Sequence, residues 1–238
     1  MVTSEGEARG MARIDMKREL ADLYRAPRDP VMVDVPPLGY IMVDGKGDPN
    51  TSEWFSEATG ALYAVSYTLK FKLKRGPGEL DYVVMPLQGL WWAGDMDAFV
   101  MEARDDWEWT LMILQPGEVT QALLEEARRE VREGKGLEAV DHLRLETYDE
   151  GLAAQVMHMG PYAEEAPTIA GLHQFIDEGG QRQGQAPRDI PGRPPQDGAG
   201  AAAHDNQAAR GVKGSHRGEG TCQLRDTILI PPGPGVVR

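Results

Sequence analysis

The sequence predicts an α+β domain, followed by a tail of different composition. Short β-branched or aromatic runs alternate with amphipathic stretches as far as Gly179-Gly180, a pattern typical of a globular α+β domain. Two segments of this domain resemble each other in the order of their elements. Beyond the two glycines, residues 181–238 contain no Phe, Tyr, Trp or Met, so they can bury little apolar surface.

These patterns divide the chain into three parts. Residues 1–30 are charged and end in Pro27 and Pro30, and we interpret them as a leader that is partly ordered on the domain. Residues 31–180 carry the folded domain. Residues 181–238 are expected to be disordered, because ordering the backbone costs about 1–2 kcal/mol per residue and apolar burial in the tail cannot offset it. The fold and any active site are then expected to come from residues before the tail.

The first half of the domain is predicted element by element. Val31–Val35 and Tyr40–Val43 surround Pro36-Pro37 and predict a strand pair or one bent strand. Thr51 or Ser52 can cap a helix, and its buried face repeats at three- and four-residue steps through Trp54, Ala58, Ala61, Leu62, Val65 and Leu69. Further strands are predicted over Tyr82–Leu87, Gly89–Ala93 and Trp109–Leu114, and a helix over Val119–Val131.

The second half of the domain repeats part of the first. Strands are predicted over Leu143–Tyr148 and Leu152–Met159, and a helix over Ala166–Asp177. Leu152–Met159 and this helix correspond to Gly39–Val43 and the helix Ser52–Leu69. In the first copy a strand closes the unit after the helix. In the second copy the helix runs into the glycines, so the sequence predicts a lopsided duplication without a closing strand.

Charge and composition exclude several classes of partner. The chain has 38 acidic and 25 basic residues, a formal net charge of −13, which disfavours nucleic-acid phosphates and anionic membrane surfaces. Its one cysteine, Cys222, lies in the tail, so no intrachain disulfide is possible. No apolar run approaches the ~20 residues that span a bilayer, and the acidic N-terminus has no signal-peptide pattern. We expect a cytoplasmic protein with neither a nucleic-acid nor a membrane partner.

Four motifs together carry a family resemblance. They are AVSYTLKF at 64–71, LQGLWW at 87–92, DWEWTLMI at 106–113 and HMGPYAEEAPT at 158–168. In this order they resemble the stand-alone GyrI-like small-molecule-binding proteins, which are related to the effector-binding domains of AraC- and MerR-type regulators. The resemblance covers about Met32 to Gly180. It implies duplicated β-α-β-β units in one antiparallel sheet, helices on one face, and a ligand groove at the pseudo-twofold axis.

The tail departs from the family pattern, and a shifted reading frame explains how. Family members continue past the final glycines with a strand of the type HHEIYL. One nucleotide string can encode Gln185 to Arg210 in one frame and GKHHEIYLGDPRRTAPERLRTIIRQPV in another. A chance agreement of that length with a family-type ending is very rare. We therefore hypothesise a frameshift close to Gly180, in the gene or in its sequencing.

Aromatic residues are the candidates for ligand binding. Adjacent Trp91 and Trp92 on a strand point to opposite faces, so at most one of them belongs to the core and the other is left for a flat apolar ligand. Both could also be structural. The residues that we take as ligand-binding, largely on the family resemblance, are Tyr67, Tyr82, Trp91, Trp92, Trp109, His158 and Tyr162.

Two residues are candidates for catalysis, Tyr162 and Glu165. A phenol can donate and accept a hydrogen bond, but a tyrosine after Gly160-Pro161 can equally well cap a neighbouring backbone group. Glu165, like Glu164, can simply be a first-turn acidic residue favoured by the helix dipole. No cofactor or metal is expected, because phosphate-loop and dinucleotide motifs are missing and the histidines show no ligand spacing.

Three functions remain open at this point. The first is binding of a hydrophobic small molecule in an aromatic-lined groove. The second, implied by the resemblance, is hydrolysis of cyclopropane-bearing, DNA-alkylating electrophiles. The resemblance places the assisting carboxylate on the HHEIYL strand, so loss of that strand is expected to impair catalysis and stability. The third is an effector-sensing module that acts through a partner regulator.

Overall fold

The computed structural model describes residues 13–92, 106–160, 164–178, 226–229 and 235–237. Its helices are α1 (Met16–Glu19), α2 (Ala21–Tyr24), α3 (Glu53–Arg75), α4 (Gln121–Lys135) and α5 (Ala166–Asp177), with a 3-10 helix over Glu138–His142. Its strands are β1 (Val31–Val35), β2 (Leu38–Lys46), β3 (Gln88–Trp92), β4 (Glu108–Leu114), β5 (Arg144–Tyr148), β6 (Gly151–His158), β7 (Asp226–Leu229) and β8 (Gly235–Val237).

One sheet contains all eight of these strands. Their order is β1-β6-β8-β7-β3-β4-β2-β5, and every neighbouring pair is antiparallel. The predicted α+β class with an antiparallel sheet is therefore confirmed. Strands β3 and β7 meet at the centre, so the middle of the sheet joins the two halves of the chain.

Helices α3 and α5 lie on the same face of the sheet. Phe55 of α3 packs against Trp91, and Leu172 of α5 packs with Val156 of β6. Val156 is connected to Gly89 by a row of cross-strand partners through β8 and β7, and Gly89 shares a face with Trp91. Because cross-strand partners in antiparallel pairs project to one face, both helices cover that face.

The leader lies on the opposite face. Gln88 and Gln155 precede Gly89 and Val156 in their strands, so their side chains point away from the helices. The Gln88 amide donates to the hydroxyl of Tyr24 at 2.6 Å, and the Gln155 amide donates to the carbonyl of Asp22 at 2.7 Å. Residues 13–30 thus connect both halves of the sheet from the side without α3 and α5.

Local sequence signals for the helices are confirmed. The Ser52 side chain accepts a hydrogen bond from the Phe55 amide at 3.2 Å, as an N-cap does. The expected face of α3 is enclosed, with Ala58, Ala61, Leu62, Val65 and Leu69 all fully buried. Helix α5 has the predicted bounds, whereas α3 continues beyond Leu69 to Arg75.

The first two strands are separate and do not pair with each other, so both predicted alternatives, a strand pair and one bent strand, are wrong. Strand β1 pairs with β6, while β2 pairs with β4 and β5. Pro36-Pro37 separates β1 from β2. A proline lacks the N–H that a ladder of hydrogen bonds needs, so the chain changes direction there. Strand β1 lies at one edge of the sheet, whereas β2 lies next to β5 at the opposite edge.

The segment Tyr82–Leu87 is not a strand, contrary to the prediction. It makes one isolated bridge, between Tyr82 and Ile14 of the leader, and the strand begins only at Gln88. The Lys70 ammonium donates to the Tyr82 carbonyl and, at 2.8 Å, to the Asp81 carboxylate. This carbonyl is engaged by a side chain and Pro86 has no N–H, so the segment cannot sustain a ladder.

Two short strands of the tail close the middle of the sheet, although the sequence predicts no closing strand. Strand β7 pairs with β3 and β8, and β8 pairs with β6. Their sequences, DTIL and GVV, are rich in β-branched and aliphatic residues, a signal that the average composition of the tail conceals. Pairing also satisfies the backbone groups of β3 and β6 that an open edge would expose. The alternative-frame segment Gln185–Arg210 lies outside the described residues.

Candidate ligand site

An aromatic cluster fills the space between α3 and the strands β3 and β4. Phe55 stacks on Trp91, with ring centroids 6.0 Å apart and an interplanar angle of 30°. Trp107 meets Trp91 edge-on at 5.8 Å, and Trp109 meets Phe55 edge-on at 5.2 Å. Such offset and T-shaped contacts are the favoured geometries of aromatic pairs. Four rings therefore form one continuous apolar wall.

Two glycines make room for two of these rings. A Cβ atom on Gly45 would come within 2.0 Å of the Trp109 ring, and one on Gly89 would lie 2.7 Å from Trp91 Nε1. Real Cβ atoms do not approach other atoms so closely. Gly45 is the cross-strand partner of Trp109, and Gly89 precedes Trp91 by two residues on the same face. Each indole consequently lies flat over backbone.

The Nε1 groups of Trp109 and Trp91 differ in their hydrogen bonding. The Trp109 Nε1 group donates to the Gly47 carbonyl at 3.2 Å. The Trp91 Nε1 group is buried, and no residue in the described part of the chain accepts a hydrogen bond from it. The Thr59 hydroxyl, one helical turn after Phe55, is in the same situation. Buried polar groups without a hydrogen-bond partner are rare in native proteins, so both of these groups require an explanation.

A second group of polar side chains lies where β6 ends and α5 begins. His158 is 4% exposed, and its Nδ1 atom is 2.9 Å from the Thr168 hydroxyl oxygen. Glu165 is also buried and directly precedes α5. A Cβ atom on Gly160 would lie 3.6 Å from His158 Nε2 and 3.8 Å from Glu164 Oε2. An imidazole and a carboxylate thus flank this glycine.

The histidine group and the aromatic cluster share a face but do not touch. Following the strand register, His158 lies level with Leu87, four residues along β3 from Trp91. Strands β8 and β7 lie between the two groups. With about 3.3 Å per residue along a strand and about 4.8 Å between strands, the separation is on the order of 19 Å.

The remaining candidates from the sequence occupy different environments. Tyr67 is on α3 and half exposed. Tyr82 is fully buried, and its hydroxyl donates to the Ser66 carbonyl and to Gln115 Oε1 at 3.4 and 3.3 Å. Burial raises the pKa of Tyr82 above its ordinary value. The side chain of Trp92 and the whole of Tyr162 lie outside the described residues.

Phe55 is a residue of the candidate site that the sequence analysis missed. The helical pattern of α3 singled out Trp54, yet Phe55 is the ring that contacts both Trp91 and Trp109. A second stripe was available as a signal, because Phe55, Thr59, Tyr63 and Tyr67 recur every four residues. This stripe follows the side of α3 next to the aromatic cluster.

Neither a metal centre nor a membrane helix emerges from the described ranges. Within residues 13–92, 106–160 and 164–178 no group of His, Cys, Asp and Glu is arranged to hold a metal ion. Across the same part of the chain, no helix is both long and apolar enough to cross a bilayer.

Solved structures from Listeria innocua are similar to this chain over nearly its whole length. One is an uncharacterized conserved protein, 30% identical, with a TM-score of 0.71, covering 94% of this chain and 98% of its own. Another is a hydrolase, 30% identical, with a TM-score of 0.68, covering 95% of this chain and 98% of its own. A further hydrolase is 29% identical, with a TM-score of 0.68 and coverages of 94% and 97%.

No family model and no curated protein sequence matches the chain. The four sequence motifs, the antiparallel α+β sheet and the similarity to the Listeria proteins nevertheless agree with one another. The chain belongs to the GyrI-like small-molecule-binding family.

Proposed function

We propose that this protein is a hydrolase of small electrophilic molecules, which it binds through aromatic side chains on the helix face of the sheet. The observation that carries the proposal is the similarity, over nearly the whole chain, to hydrolases from Listeria innocua. The buried wall of Phe55, Trp91 and Trp107 supplies the flat apolar surface that such a ligand requires.

The order of the strands supports a groove at a pseudo-twofold axis. Read from either edge, the sheet presents a flanking strand, the first strand of a β-α-β-β unit, its last strand and then its middle strand. The units are β2-α3-β3-β4 and β6-α5-β7-β8, and they meet at β3 and β7. A groove between α3 and α5 at this junction would contain Trp91, which lies on β3.

The substrate class that we propose is the cyclopropane-bearing electrophile implied by the resemblance. Water attacks a ring carbon, one strained C–C bond breaks, and its electron pair moves into the conjugated acceptor of the substrate. A general base takes the proton from water, and a proton is delivered to the acceptor oxygen, so that the net change is addition of one water. General-base catalysis contributes on the order of 10²–10⁴-fold to such reactions. Glu165 and Tyr162 remain our candidates for proton transfer, and His158 contacts Thr168 in the first turn of the helix that Glu165 precedes.

The reaction can be tested directly. The purified chain is incubated with a spirocyclopropyl dienone, and the product is followed by mass spectrometry. The proposal expects enzyme-dependent addition of one water and ring opening, with turnover reduced at least about tenfold in Glu165→Gln. Gln174→Ala, an exposed change on the same helix, serves as control. Binding of the dienone without product formation would contradict the hydrolase.

One observation favours a second candidate, binding without turnover. Trp91 and the His158 group are too far apart to contact one small ligand at once. A ligand held at Trp91 alone would lie out of reach of the His158 group, which includes Glu165. In that case the dienone quenches tryptophan fluorescence and is recovered unchanged, and co-purification with a regulator would then identify an effector-sensing module.

The shifted frame remains part of the proposal. Helix α5 ends at Asp177 and β7 begins only at Asp226, whereas α3 ends at Arg75 and β3 begins at Gln88. Compact domains usually connect their elements within about 4–6 residues, so the long connection is unusual. A chain read in the alternative frame would reach the β7 position soon after α5.

Resequencing the gene tests the shifted frame first: a gene that encodes residues 181–238 as printed, with no family-type ending in any frame at those nucleotides, refutes it. The frame-restored chain is then expressed beside the present one. We expect a higher melting temperature and tighter binding of the dienone, because the middle of the sheet gains a continuous strand. Equal melting temperature and affinity of the two chains would contradict this part of the proposal.

A further inference from the structure

The ring of Trp91 is held in one orientation by its surroundings. It is 4% exposed, stacks on Phe55 and meets Trp107 edge-on. Its edge lies over Gly89, where a Cβ atom would be 2.7 Å from Nε1, 3.2 Å from Cε2 and 3.4 Å from Cζ2. Any side chain larger than hydrogen at position 89 would therefore tilt the indole away from the strand.

The donor of this ring has no protein acceptor in the described ranges. Nε1 of Trp91 is buried there without a hydrogen bond, while Nε1 of the neighbouring Trp109 donates to the Gly47 carbonyl. A buried N–H without an acceptor is costly, and native proteins retain few of them. A fixed, dry donor beside an aromatic wall is suited to orient a ligand that carries its own acceptor.

We propose that the Trp91 N–H is a specificity-determining donor for a carbonyl oxygen on a flat aromatic ligand, and that Gly89 is the residue that positions it. The inference rests on the proposed function, since it names the chemistry of the ligand bound at that aromatic wall. A conjugated ketone fits because its planar body stacks and its oxygen accepts one hydrogen bond.

Two fluorescent probes of similar size separate the donor from the apolar wall. Prodan is a flat naphthalene with a ketone, and its emission shifts to the red when the carbonyl accepts a hydrogen bond. N-phenyl-1-naphthylamine is equally apolar and has no carbonyl. Dissociation constants for both are measured with the full chain, with Trp91→Phe, and with a chain carrying 3-benzothienylalanine at position 91, which replaces the N–H by sulfur.

The proposal expects the affinity for prodan to fall more than the affinity for N-phenyl-1-naphthylamine. In both position-91 variants, prodan should bind at least about fivefold more weakly and emit further to the blue, as loss of one hydrogen bond predicts. N-phenyl-1-naphthylamine should change by less than about twofold with the sulfur analogue, which keeps the ring shape. Gly89→Ala should weaken prodan similarly, whereas Gly39→Ala, with nothing within 4 Å of its Cβ position, should not.

The other outcomes are distinguishable. If the sulfur analogue binds both probes as the natural chain does, the donor role is overturned while the aromatic site stands. If it weakens both probes equally, the ring matters and the donor does not, which also overturns the inference. If neither probe binds the natural chain, the proposed apolar ligand site fails and the inference fails with it.

Discussion

Trp91 and Trp109 are cross-strand partners in β3 and β4, and each lies over a glycine. They nevertheless differ in whether the indole N–H has a hydrogen-bond acceptor in the described part of the chain. Trp109 is fully enclosed and its N–H donates to Gly47, whereas the N–H of Trp91 has no acceptor in the described part of the chain. The two tryptophans are alike in residue type and burial, so the hydrogen bond of Nε1 is what distinguishes them and is the ground on which we propose a ligand role for Trp91.

Among the variants that test this comparison, we expect the largest loss of stability from a substitution at Gly45. Gly45→Ala would force a methyl group to within 2.0 Å of the Trp109 ring, which is fully buried. We expect destabilisation of about 3 kcal/mol or more, because overpacking displaces a ring that has no free space. Urea denaturation measures it, with Gly39→Ala in the same strand as control. A loss no larger than in the control would contradict the structural role of Trp109.

Replacing each of the two tryptophans by phenylalanine should lower the stability of the protein by unequal amounts. Trp109→Phe removes the hydrogen bond to Gly47 and leaves a cavity, for which we expect about 2 kcal/mol of destabilisation. Trp91→Phe removes no described hydrogen bond and should cost about 1 kcal/mol. Denaturation curves of the two variants under one set of conditions give the difference. Equal losses would mean that the two tryptophans serve the fold alike.

Gly89→Ala should have a smaller effect on stability than Gly45→Ala. The closest approach is 2.7 Å, to an atom on the edge of the Trp91 ring, which can tilt to relieve it. We expect destabilisation of about 1–2 kcal/mol together with a changed tryptophan emission maximum. Loss of stability equal to that of Gly45→Ala would show that Trp91 is as rigidly enclosed as Trp109.

The smallest expected effect on stability concerns Asp81, in the segment that precedes β3, and this effect depends on pH. Hydrogen bonds from Lys70 and Lys74 lower the pKa of Asp81 from 3.8 to about 2. Because the folded-state pKa lies below the unfolded one, this stabilisation is complete above about pH 5 and is lost as the pH falls toward 2. Asp81→Asn should therefore melt below the natural chain at pH 7.

A titration of melting temperature from pH 7 to pH 2 tests this sign. The gap between Asp81→Asn and the natural chain should narrow below pH 4 and nearly vanish at pH 2. Asp106→Asn is the matched control, because its carboxylate is 80% exposed and pairs with Lys46 only at 3.6 Å. A gap that does not change with pH would assign the effect to packing instead of charge.

Much of the fold follows from local pattern. The bounds of α5, the Ser52 cap and the buried face of α3 depend on residues within a few positions of one another, so the sequence predicts them. The pairing of β1 with β6 depends on residues far apart along the chain. Periodicity shows that Val31–Val35 is a strand but carries no information about its partner.

The candidate site likewise has some features that the sequence predicts and others that only the tertiary structure decides. The aromatic motifs and the resemblance they carry were readable in the sequence, and so was the prominence of Trp91. The contribution of Phe55 was not, because only the rotation of α3 against the sheet decides which ring reaches Trp91. The offset between His158 and Trp91 likewise follows from the register of four strands.

By itself, the sequence determined the α+β class, the helices and the family, since all three depend on short-range spacing and residue identity. The tertiary structure alone decided that the leader covers the face opposite α3 and α5, that DTIL and GVV from the tail occupy the centre of the sheet, and that the buried N–H of Trp91, unlike that of Trp109, has no acceptor in the described part of the chain. The physical reason is that hydrogen-bond partners distant in sequence are selected by packing, which acts only once the elements have met.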